Sequence, residues 1–503
     1  MIDVVAVFDV GKTNKKILLF DTHLRIVDRR YRHFESAVVD GVELEPIEEI
    51  DAWLFATLRE LTAEYHVTSL AITTHGASVV TLDEAGSIAC PVVSYTHTPP
   101  EDLHDRFYAE VGSRDELQRR TATAELKPLI NVAKLLYFTR ETWPDRFSSV
   151  KHVLFLPQYF AFLLTGQLAA DFTYVGCHTY LWDFGEWGWS DVADALGIRD
   201  ALPPKPQRSW EPIGTLTESA AQSTGLEADI PVTVGIHDSN ASLLPYLIKK
   251  RNEDFLLNST GTWCVAMNPG PGGDGMEATF AEEEIGKTIF FNISAFGRPV
   301  KTSILMGGQE FEIYTDILKR IHGTDVLPDF NPSLYQRVID QHQHFIIPGV
   351  LPGTGQFPES RARVIDGGRE YDLESIRSGA EIPMLFQDLP AAYAALNLSL
   401  ALQSTVAIRR IGISPGMAIF TEGGFRHNLD YNVLLAAFLP DNPVFLTGVE
   451  EATSLGAAIT ALAAHDGEEP EAYADLFEIE TFPVGDTAFH GLDVYEQAFF
   501  GHI

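Results

Sequence analysis

The chain has 503 residues, enough for two or three large domains, and needs no staples to bury a core. Its 45% apolar and 21% charged composition excludes a disordered, collagen-like or fibrous protein. Lys and Arg total 36 against 70 Asp and Glu, a formal net charge of −34, which disfavours binding to the DNA backbone or an anionic membrane surface.

From the N-terminus, residues 4–9 and 16–20 are β-rich runs around a glycine-bearing turn, the signature of a hairpin. Residues 132–139 and 159–164 carry helical patterns, the second stopped by Thr165-Gly166, and 182–189 reads as an aromatic loop. A strand at 231–235 leads into a helix over 239–248, and the polar break Lys249-Lys250-Arg251-Asn252 marks a domain boundary. A second hairpin then follows, 255–258 and 263–267 around Ser259-Thr260-Gly261-Thr262. Its recurrence about 250 residues after the first suggests two related halves. The Gly270–Gly275 stretch matches G-x-G-x-x-G but contains Pro271 and lacks a strand-to-helix context, so it reads as a loop. His342 and His344 read as the polar face of a strand and not as a metal site.

Further on, 391–410 is a long helix stopped by Ser414-Pro415-Gly416. A strand at 417–420, the turn Glu422-Gly423-Gly424, a helix at 429–438, a strand at 444–446 and a helix at 451–463 complete the second half. Strands alternating with helices imply α/β layers with helices on both sheet faces. The expected domains are 1–248 and 249–465, with an acidic, aromatic tail over 466–503 packing on one of them. After Arg426 no Lys or Arg follows, while the last 77 residues carry 14 acids, among them Glu450 and Glu451.

Cys90, Cys177 and Cys264 lie far apart, a pattern that suits a reducing compartment. The N-terminus lacks the basic region of a signal peptide, and the apolar stretches 153–164 and 455–464 fall short of the roughly 20 residues of a membrane span. A cytoplasmic location is expected. Asn292-Ile-Ser294 and Asn397-Leu-Ser399 are sequons at the level of chance.

The motifs able to do chemistry lie at the turns. In Asp9-x-Gly11-Lys12-Thr13-Asn14-x-Lys16 a glycine turn can present backbone N–H groups to a phosphate, with Lys12 or Lys16 supplying positive charge. Asp9, at a strand end, can hold Mg²⁺ through water; a solvated hairpin turn is the plain alternative. Ser259–Thr262 offers hydroxyls and a glycine in a matching place. In Gly235-Ile236-His237-Asp238-Ser239 a strand gives way to a helix, so Asp238 can serve as a general base or simply cap that helix. Glu422-Gly423-Gly424 lets backbone approach a flat ligand such as adenine, and Gly456 permits a close approach or close helix packing.

As an ordered series, D-x-G-x-T at Asp9, G-x-H-D at 235–238, S-x-G-T at 259–262 and G-G-x-x-x-N at 423–428 resembles the FGGY family of carbohydrate kinases, from about residue 3 to 465. The resemblance implies two ribonuclease-H-like domains of the actin/hexokinase superfamily around a central cleft, with sugar held mainly by 1–248 and ATP by 249–465. It implies Asp238 as the base on the sugar hydroxyl. Gly11, Lys12, Thr13, Asn14, Lys16, Gly261 and Thr262 are then expected along the ATP phosphates, with Gly423, Gly424 and Asn428 near the adenosine. The set is most similar to the rhamnulokinase/fuculokinase branch, which implies sugar contacts from His75, Gly76, Tyr95, His237, Asp238, Ser239 and Thr302. Two departures touch the sugar side: Tyr95-Thr96-His97-Thr98 replaces a tryptophan–aspartate–arginine element, and Lys301-Thr302 replaces lysine–asparagine. The implied reaction is ATP-dependent phosphorylation of a ketose such as L-rhamnulose or L-fuculose, with ATP and Mg²⁺ as cofactors. A xylulose-, ribulose- or glycerol-type kinase and a non-catalytic nucleotide-gated sugar sensor are the alternatives. Expected partners are a small sugar and ATP, with a homodimer as the candidate assembly and neither nucleic acid nor membrane.

Overall fold

The computed structural model describes every residue except Thr13, Asp274 and Asp486. The first half builds a sheet from β1 (Ile2–Val10), β2 (Asn14–Asp21), β3 (Ile26–His33), β4 (Tyr65–Thr74), β5 (Pro212–Thr215), β6 (Pro231–Thr233) and β7 (Ile236–His237). The strands β1, β2 and β3 form an antiparallel meander, while β4 runs parallel to β1 and to β6 and β7. The resulting order is β5-β6-β4-β1-β2-β3, with β7 beside β4. Because successive side chains alternate, Val4, Ala6 and Phe8 enter one core, with helix α1 (Ile47–Leu61), and Val5 and Val7 enter another. Both faces are covered, which is why β1 reads as a continuous apolar run.

The second half repeats the plan with β8 (Phe255–Thr260), β9 (Cys264–Asn268), β10 (Ile289–Ile293), β11 (Pro299–Leu305), β12 (Ala418–Gly423), β13 (Val444–Thr447) and β14 (Thr481–Pro483). Its order is β10-β11-β9-β8-β12-β13-β14. The antiparallel set β8, β9 and β11, followed by the parallel strands β12 and β13, matches β1, β2, β3, β4 and β6. Residue α/β patterning thus gives two copies of a ribonuclease-H-like layer.

Helices α2 (Asp238–Lys249) and α5 (Ala452–Asp466) cross between the halves. A Cβ on Gly456 of α5 would overlap the carbonyl oxygen of Ala241 on α2, so the close approach requires glycine there. The apolar face of α5, including Ala457, Ile459 and Ala461, covers Val5, Val7 and Ala71 of the first sheet. In the reverse direction, Phe290, Ile293 and Ile304 of β10 and β11 join the first half's core. Phe291 N donates to Ala122 O at 2.9 Å, and Gln118 Nε2 to Ile289 O at 3.0 Å.

Several segments differ from the sequence expectation. The 182–189 stretch is a small hairpin, Trp182–Asp183 against Gly188–Trp189, held by edge-on packing of Trp182 on Trp187 and Trp189. His342 is not on a strand: at φ 36° it ends the helix Pro332–Gln341, and His344 opens the strand His344–Ile347. Asn292 and Asn397 are 1% and 0% exposed, so neither sequon is presented to solvent. Among the described residues one helix, α3 (Leu389–Arg410), is long and apolar enough to cross a membrane, but it is buried all round in the second half's core. In the tail, β14 pairs with β13, and Tyr495 and Phe499 of α6 (Leu492–Phe500) bury against Phe345.

Candidate active site

A cleft of about 430 Å³ lies between the halves. Its first-half wall is built from the β1–β2 turn, the 75–77 segment after β4, Tyr95, residues 177–178 and the β7–α2 junction. Facing these are the 259–263 turn, one side of β10 and β11, Glu422-Gly423 and residues 449–453.

Asp238 is the first residue of α2, where the helix dipole favours negative charge. Its Oδ1 accepts from Ser239 N at 2.6 Å and lies 3.0 Å from His237 Nδ1, while Oδ2 has no hydrogen-bond partner among the described residues. Burial alone would raise the Asp238 pKa, but His237 and the Ser239 amide outweigh it and hold the carboxyl below its usual range. His237 is itself held through its backbone N–H, which donates to Thr173 Oγ1 at 2.9 Å. Burial opposes the protonated His237 ring, yet Cys177 and Asp238 raise its pKa well above the usual value. Cys177 is the counterpart: despite burial, His237 and His178 pull its thiol down to about 6. Gly76 leaves no room for more, since a Cβ there would overlap His237 Nε2. His75 is kept neutral by burial, with its pKa lowered to about 4, and its ring centroid lies 5.3 Å from that of Tyr95. Burial pushes the Tyr95 hydroxyl far above its usual range.

At the end of β1, Asp9 accepts from Ser454 Oγ at 2.7 Å and lies 3.7 Å from Lys16 Nζ. Burial raises the Asp9 pKa against the opposing pull of Lys16 and Ser454. Lys16 also pairs with Glu451 at 2.8 Å; burial would lower its pKa, but Asp9 and Glu451 together raise it. Lys12, expected along phosphates with Lys16, turns the other way. Its ammonium is bonded to Glu45, donates to Ser94 Oγ at 2.6 Å and sits 5.4 Å over the Tyr95 ring. Buried Glu45 is the reason, because an unpaired carboxylate there would be costly. Glu450 and Glu451 line the cleft as well, so the acidic C-terminal stretch is not wholly remote from it.

On the opposite side, the 259–263 turn is locked to the turn after β12. Thr260 Oγ1 donates to Glu422 O and accepts from Phe425 N at 2.9 Å. Gly423, at φ 75°, would with any Cβ overlap Thr260 O, and a Cβ on Gly308 would overlap Gly261 O. At both glycines the neighbouring backbone therefore packs close with no side chain between. Glu422 is buried, which raises its pKa to about 7, and accepts from Tyr246 OH at 3.0 Å.

Of the residues expected from sequence, Asp9, Gly11, Lys12, Asn14, Lys16, His75, Gly76, Tyr95, His237, Asp238, Ser239, Gly261, Thr262 and Gly423 line one cleft. Thr13 lies outside the described residues. Three others are not in the lining. Thr302 is fully buried in β11, flanked across the sheet by Met267 and Phe290, and donates to Val300 O at 3.0 Å. Gly424 follows the cleft-lining Gly423 into a short 3₁₀ turn. Asn428 caps helix α4 (Leu429–Phe438), accepting from Tyr431 N at 3.0 Å and donating to Asn397 Oδ1 at 2.7 Å. Sequence reasoning missed Cys177, His178, Phe290 and Asn292, which complete the wall nearest His237. The only sequence signal at Asn292 was a polar residue interrupting the apolar run Ile289–Ile293.

Mg²⁺ keeps several waters and takes one or two carboxylates together with substrate phosphates. Asp9, a cleft-lining carboxylate at a strand end, fits that role, and among the described residues no cluster of three His, Cys, Asp or Glu forms a ready-made cage.

Residues 4–245 match the N-terminal domain model of the FGGY family of carbohydrate kinases, and 252–470 match the carbohydrate kinase FGGY C-terminal domain model. The chain is 27% identical over 272 residues to L-fuculokinase of Escherichia coli K12, covering 53% of this chain and 56% of that protein. It is 26% identical over 277 residues to rhamnulokinase of Halalkalibacterium halodurans, covering 51% and 52%. The chain thus spans about half the length of the curated relatives it matches. Over the whole fold it is similar to the crystal structure of a carbohydrate kinase from Novosphingobium aromaticivorans, with TM-score 0.73, 26% identity and coverage of 100% and 98%. Two family domains matched in order, each supplying one wall of a shared cleft, make this chain a member of the FGGY family of carbohydrate kinases.

Proposed function

We propose that the protein transfers the γ-phosphoryl group of ATP to a hydroxyl of a small ketose of the L-fuculose or L-rhamnulose kind. The observation that carries this reading is Asp238: an ionised carboxylate at a helix N-terminus, one oxygen fixed by Ser239 and His237, the other without a hydrogen-bond partner among the described residues. A base so arranged can take the proton of an attacking hydroxyl. His75, Gly76, Tyr95 and His237 surround it as the sugar wall, and neutral His75 can donate or accept without adding charge. The glycine-lined turns at 261 and 423 let the triphosphate lie against backbone, with Lys16 and Asn14 on the facing side.

The cleft carries Asp9, Asp238, Glu422, Glu450 and Glu451 against Lys12 and Lys16, and Lys12 is already neutralised by Glu45. Bound with the nucleotide, Mg²⁺ would supply the positive charge that offsets phosphate repulsion, with Asp9 holding it through water. The buried free thiols of Cys90, Cys177 and Cys264 support a reducing, cytoplasmic setting.

A coupled ADP-release assay over ketoses and polyols, with product analysis, tests the reaction. Asp238→Asn is expected to keep sugar binding while turnover falls by about 10² to 10⁴. Near-normal turnover in that variant would remove Asp238 from the mechanism. ATP-dependent closure of the wild type with no sugar phosphate formed would favour the sensor alternative.

A further inference from the structure

The cleft wall nearest His237 contains polar atoms that the protein itself does not satisfy. Asn292, on β10, is 1% exposed, yet neither Oδ1 nor Nδ2 has a hydrogen-bond partner among the described residues. His178 is 8% exposed, and its Nδ1 is likewise without a partner. Both residues line the cleft. Buried polar groups are almost always paired, so two cleft-lining residues with unpaired polar atoms point to a polar ligand that completes them. Besides Cys177, the rest of this wall is apolar, with Phe290, Ile130 and Ile304, so few other groups could compete for that ligand's oxygens.

The placement is rigid. Phe290 and Asn292 lie two residues apart on β10 and so share a face, and the Phe290 ring centroid is 4.3 Å from that of His178. Strand β10 is tied to the first half through Ala122 and Gln118, and Ile293 packs so tightly on Gly176 that a Cβ there would lie 2.5 Å from Ile293 Cγ1. His178 itself holds φ 52°, a conformation uncommon for a non-glycine residue, and such strain collects at ligand sites.

We propose that His178 and Asn292, one from each half, are specificity-determining residues that read two adjacent oxygens of the acceptor sugar. The inference rests on the kinase reading above and deepens it. A carboxamide offers an acceptor and donors along one edge, which matches a vicinal diol or a hydroxy-ketone, and the imidazole nitrogen meets the neighbouring oxygen. The favoured substrate class is therefore a ketose with an intact pair of vicinal oxygens besides the hydroxyl at Asp238.

The test compares wild type with Asn292→Leu, of similar size but unable to hydrogen-bond, and Asn292→Asp, which keeps the volume but loses the donors. Ligand-induced thermal stabilisation is measured with a panel of ketoses and their singly deoxygenated analogues, alongside kcat/KM in the ADP-release assay. Variant melting without sugar reports folding independently. Wild type is expected to prefer the full ketose over one deoxy analogue, and Asn292→Leu to lose about 10- to 100-fold in affinity and kcat/KM for the full ketose while treating the two sugars alike. His178→Asn, which tolerates the same backbone conformation, is expected to weaken selectivity in the same direction. Unchanged discrimination in a folded Asn292 variant would overturn the subsite and leave the kinase reading standing. Wild-type sugar stabilisation without phosphoryl transfer would do the reverse. Absence of stabilisation by every sugar would overturn both.

Discussion

Gly76 is the residue on which the sugar wall turns. It has ordinary backbone geometry, and its constraint is purely one of space, because His237 occupies the volume a Cβ would need. Gly76→Ala must therefore displace the imidazole that lies 3.0 Å from the Asp238 carboxylate. Displacements of about 1 Å near reacting groups cost on the order of 10²-fold in rate. The expected outcome is a kcat loss of about 10- to 100-fold with a melting temperature near wild type, read by steady-state kinetics beside thermal unfolding. At this scale the sequence was informative where a residue type carries its own chemistry, as with Asp9 and Asp238. It was misleading where neighbours decide. Lys12 and Lys16 look equivalent on a turn, yet only Lys12 has Glu45 within reach, a partner 33 positions away. Thr302 and Asn292 are both small polar residues in apolar strands, but Thr302 is covered between Met267 and Phe290 while Asn292 lines the cavity.

At the scale of elements, the helices with local apolar spacing and stop signals were legible, the 429–438 helix and the Thr165-Gly166 stop lying where the sequence put them, whereas Ile47–Leu61 and Gly307–His322 were not read. The Trp182–Trp189 hairpin was not legible either, since two-residue strands carry no periodicity and are held together by edge-on packing of indoles. The α2–α5 crossing is one of the contacts that join the halves, and Gly456 on α5 sets its depth. Gly456→Val would force the helices apart or distort α2 near Ala241, an overpacking cost of about 1–3 kcal/mol or more. A lowered denaturation midpoint, together with impaired turnover because α2 carries Asp238, is the expected outcome. Wild-type stability in that variant would show that the crossing is more yielding than its geometry.

For the whole molecule, duplication was legible as two hairpins, and the order of strands in each sheet repeats accordingly. What the sequence could not reveal is how far each half intrudes on the other. Strand β10 lies beyond the expected boundary at 248 but packs with the first half, and α5 covers the first half's sheet. A fragment of residues 1–248 would therefore expose Val5, Val7, Leu18 and Ala71, each 0–1% exposed in the whole chain. Such a fragment is expected to be insoluble or molten, with weak near-ultraviolet circular dichroism, and to recover order when residues 249–503 are supplied in trans. A soluble, cooperatively unfolding fragment would contradict that expectation. The net charge of −34 is likewise not set apart from function, because Glu450 and Glu451 reach the cleft and share Lys16 and Arg29 with the first half.

The late position of α5 also has a consequence for how the molecule is made. A chain emerging from the ribosome presents β1 among its first residues, but the helix that shelters one face of β1 is translated more than four hundred residues later. At about 5–20 residues per second, that face waits on the order of half a minute for its cover. During this interval the nascent chain carries a preformed apolar surface, of the kind holding chaperones recognise, so the yield of native protein should depend on translation speed and chaperone supply.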